Sequence, residues 1–234
     1  MQTSSSFSSD QQQSLFLIHD RLCIEYGCPI AYFHNLDPLS ELVASLLSHR
    51  TKNKDSHKAF QQLIERFPTW ELVRDAPTEN VEAAIAPCTW AESKALRLQQ
   101  VLRLIGERLN ENWSLDFLGE MPVTEARTWL ESLPGVGPKT SAAVLAFSRL
   151  RGRALPVDSH HHRVAIRLGI LPAKVDVGKS HAILEALLPA DWTAQQVYDH
   201  HEVLMLHGQK CCYYRNPACD RCPINDLCPS RRVL

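Results

Sequence analysis

Residues 133–140 read Leu-Pro-Gly-Val-Gly-Pro-Lys-Thr, and an apolar run, Ser-Ala-Ala-Val-Leu-Ala-Phe, follows at 141–147. Gly135 and Gly137 around Val136 make a tight turn between two helices, since glycine accepts backbone angles that other residues resist. Pro138 suits the opening turn of the second helix. With no side chains in the way, backbone N–H groups here can approach a phosphate at that helix N-terminus. Gly135, Val136, Gly137 and Thr140 are therefore candidate phosphate contacts. Lys139 is the anomaly. A cation in a first helical turn opposes the helix dipole, a setting that favours an uncharged, nucleophilic amine. A plain helix–helix turn with an exposed lysine is the bland alternative.

The rest of the chain supports an all-α fold. Ala95, Leu98, Leu102, Ile105 and Leu109 fall on one helical face, Leu15, Ile18 and Leu22 on another, and Ile183, Leu184, Leu187 and Leu188 on a third. Asp37-Pro38 opens a helix, Thr78 and Thr124 stand at the start of two more, and Gly169 closes the segment that begins at Asp158. Such signals predict about ten or eleven short helices. No stretch alternates strongly enough for a sheet, and no sequence repeat is visible.

The chain has 234 residues, 44% hydrophobic and 22% charged, with net charge −1. That composition excludes disorder and fibrous classes, and the neutral total excludes a uniformly basic nucleic-acid coat. Positive charge is local. Arg50, Lys52, Lys54 and Lys58 face only Asp55 over residues 48–58, and Lys210, Arg215, Arg221, Arg231 and Arg232 crowd the last 25 residues. Either run is a solvated face or a phosphate contact. The first 13 residues, rich in Ser and Gln, read as a mobile tail without a secretory pattern, and no apolar run is long enough to span a membrane. A cytoplasmic location is expected, and with it cysteines that form no disulfides.

Eight cysteines are unevenly spread. Cys212, Cys219, Cys222 and Cys228 form C-x6-C-x2-C-x5-C within 17 residues. Four convergent thiolates suit zinc or an iron–sulfur cubane, and ligand count alone leaves the two open. Cys211 neighbours the set, whereas Cys23, Cys28 and Cys88 read as small buried residues. Asp158, in Val-Asp-Ser-His-His-His-Arg-Val, is a good N-cap, and its carboxylate would also suit a developing cation. Three successive histidines cannot share one helical face, so they make no zinc triad.

Taken in order, LPGVGPKT, VDSHHHRV, LHGQKCC and the cysteine tail resemble the endonuclease III family of helix-hairpin-helix DNA glycosylases, over about Pro38 to Cys228. The resemblance implies a [4Fe–4S] cluster on Cys212, Cys219, Cys222 and Cys228. It implies two helical lobes with a DNA groove between them: a six-helix barrel from residues 37–152, and a cluster lobe from 14–36 with 153–234, behind a disordered tail at 1–13. Lys139 corresponds to the lysine that attacks C1′ and forms a Schiff base, and Asp158 to the aspartate that assists base departure, after which β-elimination cuts the strand. The adenine-removing branch lacks that lysine. The expected activity is a glycosylase and AP lyase removing damaged pyrimidines from duplex DNA as a monomer. A narrower mismatch or modified-pyrimidine glycosylase, or a non-catalytic metal-stapled DNA-binding module, are the alternatives. Base flipping needs a wedge, and His49, Arg50 and Trp90 occupy the neighbourhoods where the family places its wedge residues. His49 and Arg50 stand where a glutamine is common, and Thr89 replaces a usual glycine beside Trp90, so the lesion range is the open point.

Overall fold

The computed structural model describes residues 9–232, with side chains from residue 13. Every regular element among the described residues is helical. In chain order the α-helices are α1 (Ser9–Tyr26), α2 (Pro38–Ser48), α3 (Asn53–Arg66), α4 (Trp70–Asp75), α5 (Thr78–Ala84), α6 (Ala91–Leu109), α7 (Val123–Glu131), α8 (Pro138–Phe147), α9 (Ser159–Arg167), α10 (Val177–Leu187) and α11 (Ala194–Lys210), with 3-10 turns at Asp116–Glu120, Cys219–Arg221 and Asn225–Leu227. No described helix is long and apolar enough to cross a membrane. The chain divides into two compact units, one of residues up to Phe33 and from Arg153 on, the other of His34–Gly152.

In the His34–Gly152 unit, local signals set the helix ends. Asp37 caps α2, accepting from the amides of Leu39 and Ser40 at 3.0 Å each, with Pro38 in the first turn. The stripe on α6 is buried as expected at Ala95, Leu98, Leu102 and Ile105. Gln99 on the same helix is also buried, and its amide donates to the carbonyls of Val73 and Ala76 at 3.0 and 2.7 Å, closing the end of α4. Thr78 gives its hydroxyl to Gln99 at 2.7 Å, so it caps nothing, and Pro77 takes the N-cap position. α8 is buried from Thr140 to Ala146, because it packs against both α2 and α7. Residues 34–36, expected with the cluster lobe, belong to this unit. The Leu36 carbonyl accepts from Arg149 N at 2.8 Å and the His34 carbonyl from Arg151 at 2.7 Å.

In the other unit, α11 packs on α9 and on α1. A capping box starts α11, with Thr193 Oγ1 accepting from Gln196 N at 3.3 Å and Gln196 Oε1 from Thr193 N at 2.9 Å. One apolar cluster joins Leu15 to Leu155, Leu184, Trp192 and Val197; a second joins Ile18 and Leu22 to Val164, Leu168, Val203 and Ile224.

Two expectations need correction here. Residues 9–13, expected in a mobile tail, are helical: α1 begins at Ser9, and residues 1–8 lie outside the described residues. Glutamine is a fair helix former, and the stripe Leu15, Ile18 and Leu22, at most 1% exposed, fixes the helix it continues. Cys23 and Cys28, read as isolated core residues in a chain without disulfides, are half-buried and disulfide-bonded. α1 ends between them at Gly27, whose φ of +82° folds the chain back, with Gly27 N and Cys28 N both donating to the Cys23 carbonyl. Cys88 is buried as expected.

Candidate functional site

The hairpin of residues 133–137 joins α7 to α8. Gly135 has φ +81°, a conformation that favours glycine; a Cβ there would stand 2.7 Å from Arg97 Nη1, at the end of a side chain free to swing away. Gly137 is extended, with nothing within 4 Å of a Cβ position. Val136 N bonds inward to the Leu133 carbonyl at 3.2 Å, and its side chain is buried. α7 and α8 are pinned by Ser141, which donates to Glu131 at 2.6 Å and accepts from Arg127 Nε at 3.2 Å. Lys139 is exposed in the first turn of α8. Thr140 differs from the surface contact expected of it. It is 3% exposed and its Oγ1 lies 2.9 Å from His49 Nε2, because the α8 face it occupies packs on α2.

That bond places His49 as well. The ring is half-buried, and burial first, then the Lys139, Lys94 and Arg97 charges, hold it below the usual imidazole range. At neutral pH it is an uncharged link between the end of α2 and the first turn of α8. Arg50, by contrast, is exposed at φ +49°. Trp90 is 63% exposed, also left-handed at φ +57°, and begins α6. Two non-glycine residues with positive φ in adjoining loops mark a strained, tightly held region. Lys94 holds it: its ammonium donates to the carbonyls of Leu47 at 2.6 Å and His49 at 2.7 Å and to Thr51 Oγ1 at 2.7 Å. Thr51 Oγ1 also accepts from Thr89 N at 3.2 Å, stitching residues 49–51 to 88–90. Burial pushes the Lys94 amine below its usual range. Lys94 is also a cation in a first helical turn, the same signal that singles out Lys139 in the sequence.

In the other unit, Asp158 caps α9, its Oδ1 accepting from His161 N at 2.7 Å. The three histidines separate as the helix turns. His160 Nδ1 meets Arg163 at 3.2 Å and His162 Nε2 the Val175 carbonyl at 2.9 Å, while His161 is fully buried and stacked on His201. Glu202 on α11 is 9% exposed. Burial, then the Asp158 and Asp199 charges, push its carboxyl up to about 7. Nothing in the sequence announced Glu202, because it depends on α11 lying against α9.

The same α9 anchors the cysteine segment. Arg163 Nη2 donates to the carbonyls of Gly208 at 2.7 Å and Cys212 at 3.0 Å, and Arg167 to those of Tyr213 at 2.6 Å and Tyr214 at 2.9 Å. Cys212, Cys219, Cys222 and Cys228, all half-buried, line one cavity of about 420 Å³, solvent mouth included. These residues fit an iron–sulfur cluster: four thiols face one space walled by Val164, Leu168 and Ile224, and Arg167 Nη1 donates to Cys212 Sγ at 3.2 Å. Burial pushes the Cys222 thiol up to about 12, so metal binding there releases a proton.

The comparisons agree with this layout. A family model described as the HhH-GPD superfamily base excision DNA repair protein matches residues 43–190, and one described as the iron–sulfur binding domain of endonuclease III matches 215–228. A putative DNA glycosylase of Arabidopsis thaliana is 34% identical over 174 residues, which are 74% of this chain and 57% of that protein, so the chain spans little more than half of that relative. Endonuclease III of Escherichia coli K12 is 33% identical over 193 residues, 82% of this chain and 83% of that one. Among solved structures, a trapped endonuclease III–DNA covalent intermediate superposes with a TM-score of 0.78 at 23% identity, covering 94% of this chain and 96% of that one. A thermostable thymine-DNA glycosylase superposes with a TM-score of 0.78 at 19% identity, covering 95% and 99%. At those identities the superpositions bear on the fold.

Proposed function

The chain belongs to the HhH-GPD superfamily of base excision DNA repair proteins, and from that premise we propose that it is a DNA glycosylase with AP lyase activity of the endonuclease III type, acting as a monomer on damaged pyrimidines in duplex DNA, in the cytoplasm. Lys139 carries the reading: an exposed amine in the first turn of α8, beside the glycine hairpin and inside the matched span.

The target nucleotide leaves the stack, since its C1′ is unreachable inside a duplex. Exposed Arg50 and Trp90 are the groups best placed to fill the gap. The Lys139 amine attacks C1′, the C1′–N bond breaks, and its electron pair leaves with the base, which takes up the proton that the amine gives up. Asp158 stabilises the cationic sugar as that bond breaks. The C1′–O4′ bond then breaks, O4′ takes up a proton and the C1′ iminium forms; it loses a proton at C2′, the C3′–O bond breaks with its electron pair leaving on the 3′ phosphate, and water hydrolyses the Schiff base to free the lysine. Cys212, Cys219, Cys222 and Cys228 would hold the [4Fe–4S] cluster, which supplies cross-links that order the C-terminal loop and its basic residues.

Borohydride trapping tests this. Wild type is expected to form a covalent complex with abasic duplex DNA, and Lys139→Ala none. A wild type that never traps, or a Lys139→Ala protein that traps equally well, overturns the assignment. A mismatch-directed reading has one observation in its favour, the thymine-DNA glycosylase among the fold matches. A panel of single-lesion and mismatched duplexes decides between the two.

A further inference from the structure

The cysteine cavity holds more donors than a cubane cluster needs. Cys211 lies beside Cys212 in the chain, and both line the cavity. α11 ends at this point. Cys211 N and Cys212 N bond the same His207 carbonyl, at 3.0 and 2.7 Å, a closed turn that ends the helix at the cavity wall. Cys211 is 5% exposed and His207 1% exposed. His207 is oriented like a ligand. Its Nδ1 lies 3.1 Å from Tyr26 Oη, and its Nε2 faces Cys222 Sγ at 3.6 Å. A metal-binding imidazole is commonly fixed in this way through its other nitrogen. Donor atoms of His207, Cys211 and Cys222 lie within 4.8 Å of one another, so two further donors stand beside a primary cysteine.

We propose that Cys211 and His207 are reserve ligands of the cluster cavity. When Cys212 is lost from the coordination sphere, the Cys211 thiol releases its proton to solvent and its thiolate sulfur takes the one vacated position on that iron, with His207 Nε2 the neutral donor available in its place. The inference rests on the assignment of Cys212, Cys219, Cys222 and Cys228 as the primary set.

Two measurements on purified holoprotein test it, both reading iron content and visible absorbance. Cys211→Ala is expected to purify with wild-type iron but to lose it several-fold faster under ferricyanide, which attacks the cluster without a ligand mutation. Cys212→Ala is expected to retain at least half its iron with an altered spectrum, and Cys211→Ala/Cys212→Ala to retain less than a fifth of that amount. Equal ferricyanide rates for wild type and Cys211→Ala overturn the reserve role, as does equal iron loss in the single and double variants. A Cys211→Ala protein purified without iron would instead overturn the primary assignment, and the reserve role with it.

Discussion

Replacing Lys94 with methionine keeps most of its length and removes its charge and three donors. The wild-type ammonium serves two carbonyls at the end of α2 and the Thr51 hydroxyl, at 2.6–2.7 Å. Hydrogen bonds from a charged group contribute roughly 1.5–3 kcal/mol each, and a cation at a helix C-terminus adds about 0.3–1 kcal/mol. The cost of half-burying the amine offsets part of this, as its lowered proton affinity records. Water also reaches part of the vacated site. The expected net loss is about 2–4 kcal/mol for Lys94→Met. Urea unfolding at pH 7, followed by circular dichroism, measures it. A double-mutant cycle with Thr51→Val isolates the side-chain pair, and a coupling of about 1 kcal/mol is expected. Because Lys94 and Thr51 tie residues 49–51 to 88–90, the variant should also nick abasic DNA at least tenfold more slowly. A stability loss under 1 kcal/mol, or wild-type nicking with full stability loss, would refute the claim that Lys94 sets these loops.

Gly135→Ala should cost about 1–2 kcal/mol, the penalty for a side chain at φ +81°, while Gly137→Ala should be nearly silent because its extended backbone and open surroundings accept a Cβ. Thermal unfolding of the pair checks this, and equal losses would contradict the hairpin geometry. Glu202 gives a pH signature. Its carboxyl is raised from 4.5 to about 7 on folding, so the native state keeps a proton that the unfolded chain has released. Stability from this group therefore falls as pH rises from about 4.5 to 7, by about 3 kcal/mol in all. Glu202→Gln should gain on wild type by about 2–3 kcal/mol at pH 8 and little at pH 4.5, measured by urea unfolding. A gain independent of pH would show that burial, and not ionisation, governs the site.

Local sequence patterns determined what local physics governs. The 3.6-residue stripes gave α1, α6 and α10; Asp37-Pro38, Asp158 and Gly169 gave helix ends; two glycines gave the hairpin; four spaced cysteines gave a metal site. In each case the signal lies within one short stretch of chain, where backbone angles and capping bonds are decided. Choosing iron–sulfur over zinc took the resemblance, since ligand count permits both. Tertiary structure decided the partners of the polar groups. Lys94 reaches carbonyls more than 40 positions away, Gln99 closes α4 from α6, Thr140 turns inward to His49, and Glu202 is raised by the packing of α11 on α9. Cys23 and Cys28 likewise met through the turn at Gly27 and not through any motif. A side chain's partner depends on which surfaces the fold brings together, and that is set by packing across the whole chain rather than by the residues beside it.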